Sequence, residues 1–202
     1  MPNENIDQAR QMIYNLLALC LVEEHAKANQ KQIIQDFTSL SQHAFDEEVA
    51  KASLKIIESM QDKELLYKEY QNLFLVPFGK YVPLSASWYF EEREGGAMLV
   101  NMRSFLANTT IRRDEQAFCA PEDHYGFIFT FMSYLLKNAL NDKGLQGMQR
   151  ELFVSIINPY CDALSLKLME SESKIYTHVG TVLHHFCAFE RAYLEVYKSN
   201  QG

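Results

Sequence analysis

Apolar residues recur every three or four positions along most of the chain, and nowhere do they alternate with polar ones for long enough to suggest a strand. Ile6, Ala9, Ile13, Leu16, Leu17 and Cys20 form one stripe, which predicts a helix over about 5–28, with Asn5 as cap and Gln8 at the capping-box spacing. Ile33, Ile34, Phe37 and Leu40 predict a second helix over about 30–42. Asp46 is placed to cap a third, 46–60, whose inner face carries Val49, Leu54, Ile56 and Ile57. Asp62 is placed to cap a fourth, 63–75, facing Leu66, Tyr70, Leu73 and Phe74 inward.

The pattern breaks over 76–87, where Pro77 and Pro83 sit among apolar and aromatic residues. Proline removes backbone freedom and aromatics need burial, so an ordered loop is expected. A short helix over Ser87–Glu92 precedes Gly95-Gly96, and helical spacing returns over 97–107. Pro121 suits the first position of the next helix, with Glu122 and Asp123 complementing the dipole in its first turn. Tyr125 to Leu136 is apolar on nearly all sides, the pattern of a buried central helix. A helix over 147–169, kinked at Pro159, and a last one over about 172–198 complete an all-α reading. The expected architecture is a single helical bundle of about eight or nine helices, one domain over 1–202.

Eight Gly and five Pro support this, because a β-sandwich or barrel of 202 residues consumes many more in tight turns. A net charge of −7 leaves no basic footprint for nucleic acid and suits a positively charged partner. The longest uncharged runs, Gln11–Val22 and His124–Leu136, fall short of the roughly 20 residues of a membrane span. Glu4, Asp7 and a lone Arg10 do not make the basic start of a secretory signal, so a cytoplasmic protein without membrane insertion is expected. Cys20, Cys119, Cys161 and Cys187 are widely spaced and read as buried thiols rather than a disulfide framework.

Catalytic signatures are missing: there is no G-x-S-x-G and no Gly-rich phosphate loop, so neither catalytic residues nor a cofactor are expected. The alternative reading is a helical metal-binding protein or metalloenzyme using His178, His184, His185 and Cys187, although no H-E-x-x-H or supporting carboxylate is present. Arg112-Arg113 is internal and followed by Asp114-Glu115, which reads as surface charge. Two constellations remain. One is Glu69-Tyr70-x-x-Leu73-Phe74 leading into the loop that ends Pro83-Leu84-Ser85-Ala86-Ser87-Trp88-Tyr89. The other is Pro121-Glu122-Asp123-His124 opening the apolar helix. An acidic turn beside aromatic residues suits a peptide with a basic end and an apolar stretch, Asp123 pairing with arginine. The competing reading is that Asp123 only caps a helix and His124 stacks on the loop.

These residues resemble the TorD/DmsD/NarJ family of redox-enzyme maturation chaperones. Its hallmark is E-P-x-D-H before a buried helix, preceded by aromatic-x-x-L-F and a Pro-containing loop ending S-x-aromatic. The matches are Tyr70, Leu73 and Phe74; Pro83, Ser87, Trp88 and Tyr89; Pro121, Asp123 and His124. Phe153–Tyr160 also resembles the family's region after the motif helix, and the likeness covers roughly 8–195. Ala120 stands where the family has Glu, and the Pro83–Ser87 loop is one residue longer than in DmsD-like members. The resemblance implies a TorD-like helical cytoplasmic chaperone, not an enzyme. It implies binding of the twin-arginine leader and apoprotein of a molybdenum-cofactor oxidoreductase, of the formate dehydrogenase or S-/N-oxide reductase class, before export. By the same resemblance Tyr70, Phe74, Pro83, Ser87, Trp88, Tyr89, Pro121, Asp123 and His124 line or support the peptide site, and the state is a monomer or a helix-swapped dimer.

Overall fold

The computed structural model describes residues 4–76, 80–116, 118–139, 143–145 and 147–197. Among them there are eleven α-helices and no strand, so the all-α expectation holds. They are α1 (Glu4–Leu21), α2 (Glu23–Ala28), α3 (Gln30–Gln42), α4 (Glu47–Ser59), α5 (Leu65–Tyr70), α6 (Ala86–Glu91), α7 (Ala97–Ala107), α8 (Tyr125–Asn138), α9 (Met148–Leu152), α10 (Cys161–Met169) and α11 (Tyr176–Tyr193). Wider π-helical turns, Gln71–Leu75 and Phe153–Ile157, continue α5 and α9. No single helix among the described residues is long and apolar enough to cross a membrane.

The chain divides into two compact units. One lies within Met1–Ala18 and Leu84–Tyr160, the other within Leu19–Pro83 and Cys161–Lys198. In the first, α8 is the core element: Tyr125, Ile128, Phe129, Phe131, Met132, Leu135 and Leu136 are all buried, as its apolar circumference requires. Tyr14 of α1 packs on Phe129 at 5.7 Å between ring centres. Arg10 is buried as well, its guanidinium satisfied by Asp7 (2.6 Å) and Gln149 (3.0 Å).

In the second unit α4 packs on α3 and α11, and α10 packs on α11. Asp46 caps α4 as expected, its carboxylate accepting from the Glu48 N–H at 2.7 Å. Leu54, expected on the inner face of α4, is 57% exposed and belongs to its solvent side. Gly180 lets α10 and α11 approach closely. A Cβ there falls 2.8 Å from Leu168 Cβ, 2.8 Å from the Ser165 carbonyl oxygen and 2.9 Å from the Met169 nitrogen. Two of those atoms are backbone and cannot swing aside. Gly180→Ala gains about 1 kcal/mol of helix propensity, but overpacking costs about 1–3 kcal/mol. A net loss of up to about 2 kcal/mol is expected in urea unfolding.

Several element boundaries differ from the sequence reading. The first helix ends at Leu21, because Val22 is extended (φ −110°, ψ 125°), and Asn5 lies inside α1 rather than capping it. At Pro159, which has no N–H to donate, the expected kink is a full interruption between the π turn and α10. Pro121 does not begin α8; it opens a turn closed by the His124 N–H to the Pro121 carbonyl (3.1 Å), and the helix starts at Tyr125. Cys119 is exposed, whereas the other three cysteines are buried. The loop positions Pro77, Phe78 and Gly79 lie outside the described residues.

Candidate functional site

Asp123 has no measurable exposure, and three helix starts in the first unit converge around it. Backbone pairing comes first: Ala86 N–H donates to the Asp123 carbonyl (2.9 Å) and Tyr125 N–H to the Leu84 carbonyl (2.8 Å), an antiparallel bridge centred on Ser85 and His124. The Asp123 carboxylate then accepts from Ser85 Oγ (2.7 Å) and from the Ser87 N–H (3.1 Å), both through Oδ2. Ser85 is the N-cap position of α6, so Asp123 caps that helix from another part of the chain. Ser87 Oγ in turn accepts from Gly96 N–H (3.1 Å) and Leu99 N–H (3.3 Å), capping α7. His124 caps α8, its Nδ1 accepting from the Gly126 N–H at 3.1 Å. A serine, an aspartate and a histidine thus each close one helix start.

That cap requires a neutral His124 with the proton on Nε2. The imidazole packs edge-on against Phe118 (5.3 Å), and burial pushes its pKa down to about 4, although the Asp123 carboxylate acts the other way. The folded state therefore binds fewer protons than the unfolded chain between about pH 6.5 and 4. Stability attached to His124 is complete above pH 6.5 and is lost as pH falls through that window. For this partly solvated ring roughly 2 kcal/mol is expected. Urea unfolding of the wild type and His124→Asn between pH 7.5 and 4.5 checks this, because the variant keeps a capping oxygen and loses the slope.

Glu122, next to Asp123, turns the other way. Burial raises its pKa, but hydrogen bonding and the charges of Arg103 (3.2 Å) and Arg113 (3.5 Å) outweigh it and hold the carboxyl below the usual range. Arg113 also donates to the Phe118 carbonyl (3.0 Å), and Arg112 to those of Leu106 (3.0 Å), in the last turn of α7, and Thr109 (2.9 Å), just after it. The twin arginine therefore ties the end of α7 and the Phe118 backbone and is more than solvated charge.

The caps fix α6, whose aromatic residues step outward. Trp88 and Tyr89 are half-buried, with Tyr89 against Tyr125 at 6.0 Å, and Phe90 is 51% exposed. Beyond Phe90 come Glu91, Glu92, Arg93 and Glu94, with Glu92 in the left-handed region (φ 54°) at the C-cap of α6. Phe90 was not singled out from the sequence; its place next to Trp88-Tyr89 was the available signal.

Of the nine residues expected at the peptide site, Ser87, Trp88, Tyr89, Pro121, Asp123 and His124 belong to this unit. The structure brings Ser87, Asp123 and His124 together in the capping network. Trp88, Tyr89, Pro121 and His124 retain partial exposure, and Ser87 and Asp123 are enclosed. Tyr70, Phe74 and Pro83 belong to the second unit and are buried there. Tyr70 and Phe74 pack on Tyr176 at 6.4 and 4.9 Å. Burial pushes both phenols' pKa up, keeping them donors to the Leu21 (3.3 Å) and Cys20 (2.8 Å) carbonyls.

The histidines of α11 do not converge. His184 lies near Asp162 (3.7 Å) and Ser165 (3.4 Å), and His185 faces Asp46 (3.1 Å). Among the described residues no group of three or more His, Cys, Asp or Glu is arranged to hold a metal ion.

The model of the nitrate reductase delta subunit family matches residues 42–165. The chain belongs to that family. The nitrate reductase delta subunit family is a family of molybdoenzyme maturation chaperones whose partner is a molybdoenzyme subunit, in agreement with the resemblance seen in the sequence. The matched segment contains all nine expected site residues and every cap around Asp123. No curated protein matches the chain.

Proposed function

We propose that this protein is a cytoplasmic, non-catalytic chaperone. It binds the twin-arginine leader and apo-form of a molybdenum-cofactor oxidoreductase, of the formate dehydrogenase or S-/N-oxide reductase class, and holds it until the cofactor is inserted and export can proceed. The observation that carries this reading is the outward aromatic face of α6, held by caps made from the motif residues Ser87, Asp123 and His124. Trp88, Tyr89 and Phe90 offer rigid apolar area to a leader's hydrophobic stretch, and the net charge of −7 favours its basic end. Ser87 and Asp123 keep that surface in place without touching the peptide.

Covering about 400 Å² of apolar leader surface contributes roughly 10 kcal/mol. Association and ordering cost about 4–15 kcal/mol, so at the low end about 6 kcal/mol remains, a dissociation constant of roughly tens of micromolar that charge pairing tightens, suited to a holder that must release. Trp88 is the single tryptophan of the chain, so its fluorescence reports on α6 directly. Titration with leader peptides of molybdoenzyme precursors from the same genome is expected to shift Trp88 emission at micromolar concentration, more weakly as salt rises. Saturating calorimetric titrations with no heat and no emission change for any such leader would sink the proposal.

A further inference from the structure

The seam between α10 and α11 holds two thiols that the chaperone reading does not use. Both helices belong to the second unit and run antiparallel, with Leu168 meeting Gly180 at the close approach described above. Seven residues before Leu168 stands Cys161, and seven after Gly180 stands Cys187. Seven residues are nearly two helical turns, so both side chains return to the same seam and face each other across it. Ser165 and His184, 3.4 Å apart, lie between the two levels and show that the register is kept. Burial first, and then the neighbouring Cys161 side chain, push the Cys187 thiol's pKa up, as expected of two sulfurs side by side in that seam. Arg191 donates to Cys161 Sγ at 3.0 Å and pairs with Asp162 at 3.0 Å, so the sulfur of Cys161 lies against a fixed guanidinium.

We infer that Cys161 and Cys187 are a redox modification site, a dithiol that closes to a disulfide across α10 and α11 on reaction with a hydroperoxide. The Cys161 sulfur, lying against Arg191, attacks the peroxide oxygen; the O–O bond breaks, the thiol proton goes to the departing oxygen, one water leaves and Cys161 becomes a sulfenic acid. The Cys187 thiol then attacks that sulfur, the S–S bond forms and the second water leaves. Two thiols lose two electrons and two protons in all, and one hydrogen peroxide becomes two waters. Both sulfurs are buried, so the oxidant is a small one entering as the start of α10 opens locally. Cys20, buried without such a neighbour, stays reduced, and exposed Cys119 reacts independently.

The test uses the full chain carrying Cys119→Ser, a surface change. After hydrogen peroxide treatment, the remaining thiols are alkylated under denaturing conditions and the digest is analysed by mass spectrometry. The expected result is one linked species joining the Cys161 and Cys187 peptides, lighter by two hydrogens, reversed by dithiothreitol, with Cys20 fully alkylated. Adding Cys187→Ala should stop the reaction at a Cys161 sulfenic acid that dimedone captures. Full alkylation of Cys161 and Cys187, or their separate over-oxidation with no linked peptide, overturns the inference.

Discussion

Asp123→Ala is expected to lower stability by roughly 3–4 kcal/mol and the melting temperature by about 10 °C. The substitution leaves the Ser85 hydroxyl and the Ser87 N–H without their acceptor in an enclosed site. Each buried unsatisfied donor costs about 1–3 kcal/mol, and relief from burying a carboxylate returns part of that. Asp123→Asn keeps one carbonyl oxygen for the same donors and is expected to cost only about 1 kcal/mol. Leader affinity separates the two roles open to Asp123. An enclosed capping residue predicts that Asp123→Asn binds leader within about threefold of wild type. A direct arginine contact predicts a loss of tenfold or more at nearly unchanged melting temperature. Calorimetric titration and thermal melts on the same samples decide between them.

The same residue shows where sequence reasoning reached and where it stopped. Helices α3 and α7 begin and end where the apolar spacing put them, and Asp46 caps α4 as its position implied. These signals are local, a cap or a period within a few residues of its helix. Asp123 also looked like a local cap, and the residue next to it, His124, performs that job, while the Asp123 carboxylate reaches 36 residues back to α6. A cap supplied from elsewhere leaves no spacing in the sequence to find. The two π turns were invisible for a related reason, since one extra residue per turn leaves the apolar stripe nearly intact. Burial of Ser87, a polar residue between Ala86 and Trp88, follows only from what its hydroxyl does at the start of α7.

Glu69→Ala is expected to cost about 3 kcal/mol although the side chain is only half-buried. The helix α11 has no acidic residue in its first turn and no carboxylate cap of its own, only Ser173 Oγ accepting from the Tyr176 N–H (2.8 Å). Glu69 supplies one: Oε1 accepts from the Lys174 N–H (2.8 Å), and Oε2 accepts from the Ile175 N–H (3.0 Å) and from Ser173 Oγ. Charge-assisted hydrogen bonds contribute about 1.5–3 kcal/mol each at most, and water replaces part of them at the exposed Lys174 end. Glu69→Gln keeps one acceptor but turns an amide NH₂ toward backbone donors, so rescue should be partial, to a loss of about 1.5–2 kcal/mol. The neighbouring motif residues serve the same helix start, since Tyr70 and Phe74 both close on Tyr176. Hydrogen exchange should therefore quicken over 174–179 in Glu69→Ala while α3 and α4 keep their protection. If these three residues act only by anchoring α11, leader affinity stays within about threefold of wild type below the melting transition. A tenfold loss of affinity at intact protection would move this segment from the scaffold to the peptide surface.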